Sequence, residues 1–252
     1  MDAALRSLLD WYAAVGIDVP PVPDARPPRK KRVVTTSRDP QKTVAAVPRA
    51  ETKPPAPSSA APIVAKCKTL DALQSAMLEF NAGALSDGAR QAVFARGNPA
   101  ADLMVIGEAP GRDEDISGKP FAGRSGELLD RMLGAIGLGA EDAYLSYVVN
   151  WRPKGSRPSD ADIALCRPFL NRHITLAAPK AILLVGGTAM NTLTGQSSMM
   201  KNRGQWAEVT IDGQVYPTLP IYDPEFLLKN PELKKDAWRD LLTLREKLLS
   251  LP

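Results

Sequence analysis

Histidine is almost missing from this sequence. His173 is the one imidazole among 252 residues, which excludes sites built on several imidazoles, three-ligand catalytic zinc among them. Cysteine is nearly as scarce. Cys67 and Cys166 stand far apart and cannot make a disulfide framework, so reduced thiols are expected. No apolar run approaches the roughly 20 residues that cross a bilayer, and the amino-terminus lacks the basic-then-apolar layout of a secretion signal. Charge excess is modest too: a net +4 permits an anionic partner such as nucleic acid without requiring one. A soluble, intracellular protein is expected.

What is present divides in three. Residues 1–16 read as an amphipathic helix, with Asp2 as cap, Leu5, Leu8, Leu9 and Tyr12 on one face, and Gly16 at its end. Residues 17–63 are rich in Pro, Ala, Ser and Thr and include "RPPRKKR". So little can be buried there that a disordered basic linker is expected, its charges either touching phosphates or keeping it solvated. The helix could dock on the main domain or on a protein partner. Residues 64–252 alternate strand and helix. "ADLMVIG", "AYLSYVVN" and "KAILLVGG" are apolar runs of strand length; "GELLDRMLGAIG" and "DADIALCRPFLNRHITLAA" carry helical periodicity, the latter with Pro168 as an expected kink or break. Asp212-Gly213 suits a hairpin turn, and Asn230-Pro231 reads as cap and first residue of a closing helix. The order predicts an α/β fold, a three-layer α/β/α sandwich around a mainly parallel sheet.

In such sheets ligands bind beyond the carboxyl ends of the strands. The loop "VIGEAPGRDEDISGKPFAG", residues 105–123, follows the first apolar run. Gly107 allows close backbone approach, Glu108 is placed to accept a proton or polarise a water, and Phe121 sits on a stiff loop between Pro120 and Ala122-Gly123. Phe121 is either a face for stacking on a flat ligand or a core residue under a structural turn. The loop lacks the Gly-Lys-Ser/Thr ending of a nucleotide P-loop and the G-x-G-x-x-G of dinucleotide sites. A phosphate- or nucleotide-binding protein therefore has only the glycines in its favour.

The segment "GEAPGRDEDISGKPFAGRSGELLDRML" resembles the first motif of the family 4 uracil-DNA glycosylases. The similarity continues through "YVVNWRPKGSRPSDADIALCRPFL", "PKAILLVGG" and "LPIYDPEFLLKNPELKKDAW", from about residue 70 to 248. The resemblance implies a uracil-DNA glycosylase-like fold. It also implies an enzyme that flips uracil, or another deaminated base, out of DNA and hydrolyses its N-glycosidic bond. It assigns Glu108 to the attacking water, Phe121 to stacking on the base beside Gly107, and Asn150 to the pyrimidine edge, where an amide supplies both donor and acceptor. Asn150 could instead cap a turn. Lys119, Arg124, Lys201 and Arg203 are expected on DNA, with Arg152 and Arg157 around the same mouth; each could equally be a solvated charge.

Two departures from that family stand out. Its second motif has a histidine before "P-[SA]-x-L-L", which stabilises charge growing on uracil O2. Here the segment is "YDPEFLL", with Asp223 at the histidine position and Glu225 two residues on. A protonated Asp223 could still donate; an ionised one could not. The family also carries a [4Fe–4S] cluster on four cysteines. Only Cys166 matches a ligand position; the others fall near Phe80, Gly83 and Trp151. No cofactor and no metal are expected, with apolar packing around Trp151 in their place. The alternative to a glycosylase is a catalytically degenerate DNA-binding member of the same superfamily. A cytoplasmic, nucleoid-associated monomer of bacterial type, acting on DNA and not on membranes, completes the expectation.

Overall fold

A computed structural model describes residues 60–155 and 157–251. The expected amino-terminal helix and nearly all of the expected linker lie outside them. The described chain opens with Ala60 buried and a one-turn helix α1 (Ala61–Val64), so the folded domain includes residues before the boundary expected at 64.

Helices α2 (Leu70–Glu79) and α3 (Ala84–Asp87) follow. Thr69 caps α2 by accepting from the Ala72 N–H. Then come β1 (Arg96–Gly97), β2 (Leu103–Gly107), α4 (Arg112–Ser117), α5 (Gly123–Gly134) and β3 (Ala143–Tyr147). The second half contains α6 (Asp160–Ala177), β4 (Ala181–Val185), α7 (Gly187–Thr194), α8 (Met199–Asn202), β5 (Ala207–Ile211), β6 (Gln214–Ile221), α9 (Pro224–Lys229), a 3₁₀ turn (Pro231–Leu233) and α10 (Lys234–Ser250).

The six strands form one sheet in the order β1-β3-β2-β4-β6-β5. The four central strands are parallel; β1 and β5 run antiparallel at the two edges. Strands β2 and β4 are buried on both faces, as near-continuous apolar runs require. On one face Met104, Ile106, Ile182 and Leu184 pack with Leu73 and Met77 of α2 and Phe169, Leu170 and Ile174 of α6. On the other, Leu103, Val105, Leu183 and Val185 pack with Leu128, Leu129 and Met132 of α5 and Trp238, Leu241 and Leu244 of α10. This is the three-layer sandwich expected from the sequence. Burial of each such Leu contributes roughly 1.5–3 kcal/mol.

Two local expectations need correction. Helix α6 runs through Pro168 without the break that is one of the two expected outcomes, held by Cys166, Phe169 and Leu170 on its buried face; tertiary packing outweighs the loss of one backbone N–H. Asn230 does not cap the closing helix. Its side chain donates back to the Phe226 carbonyl, and the 3₁₀ turn precedes α10. The hairpin is as expected: Asp212 (φ 49°) and Gly213 (φ 82°) make the left-handed pair that a two-residue turn between β5 and β6 requires.

The chain leaves β2, adds β3 on one side, then crosses to the other side of β2 as β4. The connections use opposite faces, α5 on one and α6 on the other. The sheet therefore has its switch point at β2, and the crevice there opens at Gly107, where such folds bind ligands.

Candidate active site

A cavity of about 310 Å³ lies at that switch point, within the size range of small-molecule sites. Glu108, Gly111, Glu114, Phe121, Tyr147, Arg152 and Asp223 are among its lining residues. A second, more open groove of about 480 Å³ shares Glu108, Asp223 and Glu225 with it, and adds Arg157, Met199, Met200, Phe226 and Lys229. Glu108 and Asp223 thus stand between a compact pocket and a longer groove.

Glu108 directly follows β2. Its Oε1 accepts the Thr188 N–H at 2.8 Å, at the start of α7, where backbone donors and the helix dipole favour a negative charge. Asp223 follows β6 and caps α9, its Oδ1 accepting the Glu225 N–H at 2.7 Å. Burial pushes the Asp223 carboxyl up to about 6, and the charges of Glu108 and Glu225 push the same way; hydrogen bonds from the Glu225 and Phe226 backbone oppose it.

Phe121 is a core residue that also reaches the cavity. Its side chain is buried and also lines the cavity. Its φ of 52° is a conformation that costs a non-glycine residue of order 1–3 kcal/mol and is kept where the surroundings enforce it. Three neighbours do so. The Phe121 N–H donates to the Tyr147 hydroxyl at 2.8 Å. The ring packs on Tyr147 with centroids 4.8 Å apart. Gly126 admits the loop, since a Cβ there would fall 1.6 Å from the Phe121 carbonyl oxygen. Gly107 lies under both rings: a Cβ would sit 2.6 Å from Phe121 Cζ and 2.7 Å from Tyr147 Cε1.

Asn150 is not brought to the cavity. Its residue is 1% exposed, its Nδ2 donates to the Val93 carbonyl at 3.0 Å, and its own carbonyl accepts the Val93 N–H at 2.7 Å. The carboxamide ties two loops together, the capping alternative in another form. The residue at the end of β3 is Tyr147, three positions earlier, and it does line the cavity.

Arg203 also needs correction. Expected on DNA, it is instead bound within the domain: Nε and Nη2 meet both carboxylate oxygens of Asp240 at 2.9 and 2.6 Å, and its guanidinium lies 5.3 Å from the Tyr222 ring centroid. Asp240 is 3% exposed. Burial raises its carboxyl to about 7, against the pull of Arg203. Lys119, Arg124 and Lys201 are exposed, the first two flanking the Phe121 loop and the third beside the Met199–Met200 edge of the open groove. None of the three lines either hollow. Arg152 does; its guanidinium lies 3.9 Å from buried Asp115.

Three lining residues escaped the sequence reading. Tyr147 looked like the interior of a strand. Arg112 belongs to the charged first turn of α4, and Glu114 sits buried one turn in, where its Oε2 accepts the Gly111 N–H at 2.8 Å. Burial raises the Glu114 carboxyl above the usual carboxylate range. An S/T/G-x-x-E spacing is the sequence signal that could have found Glu114.

His173 is far from this chemistry. It is 1% exposed and stacked on Phe94 at 4.4 Å. Its Nε2 pairs with the Tyr144 hydroxyl at 2.9 Å, and burial lowers it to about 3, so the ring is neutral.

The positions matched to cluster ligands do not make a four-thiolate donor set. Cys166 is fully buried beside Trp151 and Phe169, and burial holds its thiol at about 12. Phe80 packs edge-on to Phe169 at 5.2 Å and tilted to Trp151 at 6.2 Å. The Cys67 thiol is turned to the Ile63 and Ala72 carbonyls. Among the described residues no group of three or more His, Cys, Asp or Glu is placed to hold a metal ion.

Comparison with known proteins agrees with this architecture. A family model described as the uracil DNA glycosylase superfamily matches residues 94–242. The type-4 uracil-DNA glycosylase of Saccharolobus solfataricus is 36% identical over 170 residues, 65% of this chain and 79% of that protein. Those of Archaeoglobus fulgidus (33% over 156 residues, 60% and 78%) and Thermotoga maritima (34% over 154 residues, 59% and 79%) are similar to it as well.

Proposed function

Since the chain belongs to the uracil DNA glycosylase superfamily, we propose that it removes uracil from DNA by hydrolysing the bond between the base and C1′ of the sugar. The observation that carries this reading is the placement of Glu108 and Asp223 together between a compact cavity and a more open groove. A base acted on in DNA leaves the stack and enters a pocket. The compact cavity, with Phe121 on its wall, is the pocket. The open groove, with Arg157 and Lys229, takes the flanking strand.

Glu108 holds the attacking water. As the C1′–N1 bond breaks, its electron pair passes to the base and charge grows on O2. The water oxygen bonds to C1′ and its proton goes to Glu108, leaving an abasic sugar and the uracil anion, which becomes free uracil by taking a proton from solvent as Glu108 returns its own. Asp223 meets the growing charge at O2 with a hydrogen bond when protonated. A donor of this kind contributes about 10²–10³ in rate. The raised Asp223 carboxyl supports this role.

The enzyme works without an iron–sulfur cluster. The aromatic packing of Phe80, Trp151 and Phe169 around Cys166 supports this, because it occupies the ground that thiolate ligands would need. Lys119, Arg124, Arg152 and Lys201 supply phosphate contacts. The protein acts as a monomer in the cytoplasm, at the nucleoid; among the described residues no helix is long and apolar enough to cross a membrane.

The test is uracil release from a labelled single-stranded oligonucleotide by the full chain. Release by the wild type that disappears in Glu108→Gln is expected. No release by the wild type, with DNA binding intact and release created by Asp223→His, would replace this reading with a binding-only pocket.

A further inference from the structure

We propose that Arg96 is a positioning residue for the pocket: its guanidinium locks the Pro120–Phe121 peptide in the orientation that keeps the Phe121 ring at the cavity wall. Arg96 itself does not line the cavity. The effect on turnover rests on the glycosylase reading above; the effect on the loop does not.

The argument starts from one peptide unit. The Pro120 carbonyl and the Phe121 N–H belong to the same planar amide and point in opposite directions. The carbonyl accepts from Arg96 Nε at 2.7 Å, and the N–H donates to the Tyr147 hydroxyl at 2.8 Å. The plane is gripped at both ends, by residues from two paired strands, β1 and β3.

That grip opposes a definite alternative. Phe121 has φ 52°, a left-handed conformation that disfavours any residue with a Cβ. Turning the amide over by about 180° would carry Phe121 into the extended region and relieve the strain. It would also take the carbonyl away from Arg96 and the N–H away from Tyr147. A hydrogen bond from a charged donor and the strain of such a residue are of similar size, so loss of the donor tips the balance.

The other arm of the guanidinium aims the first. Arg96 Nη2 donates to Asp130 Oδ1 at 2.6 Å, on α5, the helix that begins two residues after Phe121. Arg96 therefore ties the residue before the strained position to the helix after it. Asp130 is half exposed, so the contact serves more to orient the guanidinium than to stabilise the domain. A planar, permanently charged fork reaches both acceptors at once; a lysine ammonium on its flexible stem does not hold that geometry.

The experiment uses the full chain as wild type, Arg96→Met, Phe121→Ala and the double variant. It reads amide hydrogen exchange by NMR and kcat/KM for uracil release from a single-stranded oligonucleotide. In Arg96→Met the Phe121 amide should exchange at least about 10-fold faster relative to the Val105 amide of β2, which reports opening of the core. The kcat/KM should fall about 10-fold, and that loss should vanish in the Phe121→Ala background, because Arg96 acts through the ring. Equal losses in both backgrounds would overturn the inference and make Arg96 a contact of another kind, to DNA phosphate above all. So would full activity in Arg96→Met, or Phe121 and Val105 amides that accelerate together. If Arg96→Met fails to fold, as thermal melting would reveal, Asp130→Ala takes its place. It frees the second arm of the guanidinium, and an unchanged Phe121 amide there overturns the inference. Should the wild type release no uracil, the glycosylase reading falls, and the exchange measurement alone decides whether Arg96 locks the loop.

Discussion

The Glu108 carboxylate and the Thr188 backbone N–H meet at 2.8 Å, joining the loop after β2 to the first turn of α7. The bond fixes one carboxylate oxygen against the protein; on the glycosylase reading the other is the one that takes the water. Glu108→Gln keeps an acceptor for Thr188 but cannot take the water's proton. Base release should fall at least about 10³-fold. Affinity for single-stranded DNA, measured by fluorescence anisotropy, should change less than twofold. A parallel loss of affinity would mean that Glu108 serves the DNA grip instead.

Asp223 gives the enzyme an expected pH profile. Its carboxyl is raised to about 6 by burial first and neighbouring charges second. Only the protonated form donates, so kcat should fall close to tenfold per unit well above pH 6. Asp223→Asn, a permanent donor, should remove that fall. Asp223→His should raise activity at pH 7.5 by about 10²-fold. A wild-type rate that climbs with pH would contradict the donor role.

Arg203 and Asp240 predict a stability effect, not a binding one. Removing Arg203 leaves buried Asp240 without its donor and drives a carboxyl already raised to about 7 to take up a proton, so the loss is that of the charge-assisted hydrogen bonds, about 1.5–3 kcal/mol. Arg203→Ala should therefore lower the urea midpoint strongly. Lys201→Ala should leave the midpoint unchanged but weaken DNA binding and flatten its dependence on salt. Equal stability of the two variants would refute this division.

His173 makes the domain sensitive to acid. Its folded-state value, lowered to about 3 by burial, lies below the ordinary 6.5. The unfolded chain then binds a proton that the folded chain does not, so the stability is complete above pH 6.5 and is lost as pH falls below it. The loss from this group between pH 7 and pH 5 is about 2 kcal/mol. Urea titrations of wild type and His173→Gln at the two pH values should differ by that amount in their pH dependence.

Much of this was legible in the sequence. Strands β2 and β4 were plain because each is an apolar run closed by glycine, and alternation with helices fixed the layers. The end of β3 was not. Val148 and Val149 are apolar and fully buried, and their N–H groups still reach the Gly107 and Glu108 carbonyls, so hydrophobicity carried the strand to Asn150 although its regular register ends at Tyr147. Three residues of slippage exchange a tyrosine for an amide at the wall of the cavity. Arg203 shows a different limit. Its partner is 37 positions away, and nothing in "KNRGQ" separates a guanidinium that meets phosphate from one that meets a buried carboxylate.

The aromatic wedge of Phe80, Trp151 and Phe169 has a consequence for how the protein comes to be active. It packs at the chain segment that carries Arg152 and Pro153 to the mouth of the cavity. Carbon rings reach this arrangement as the chain folds, with no scaffold enzyme or inorganic supply to wait for. On the cluster-free reading, the pocket should mature at the same pace in iron-starved cells and under oxidants that strip exposed metallocentres.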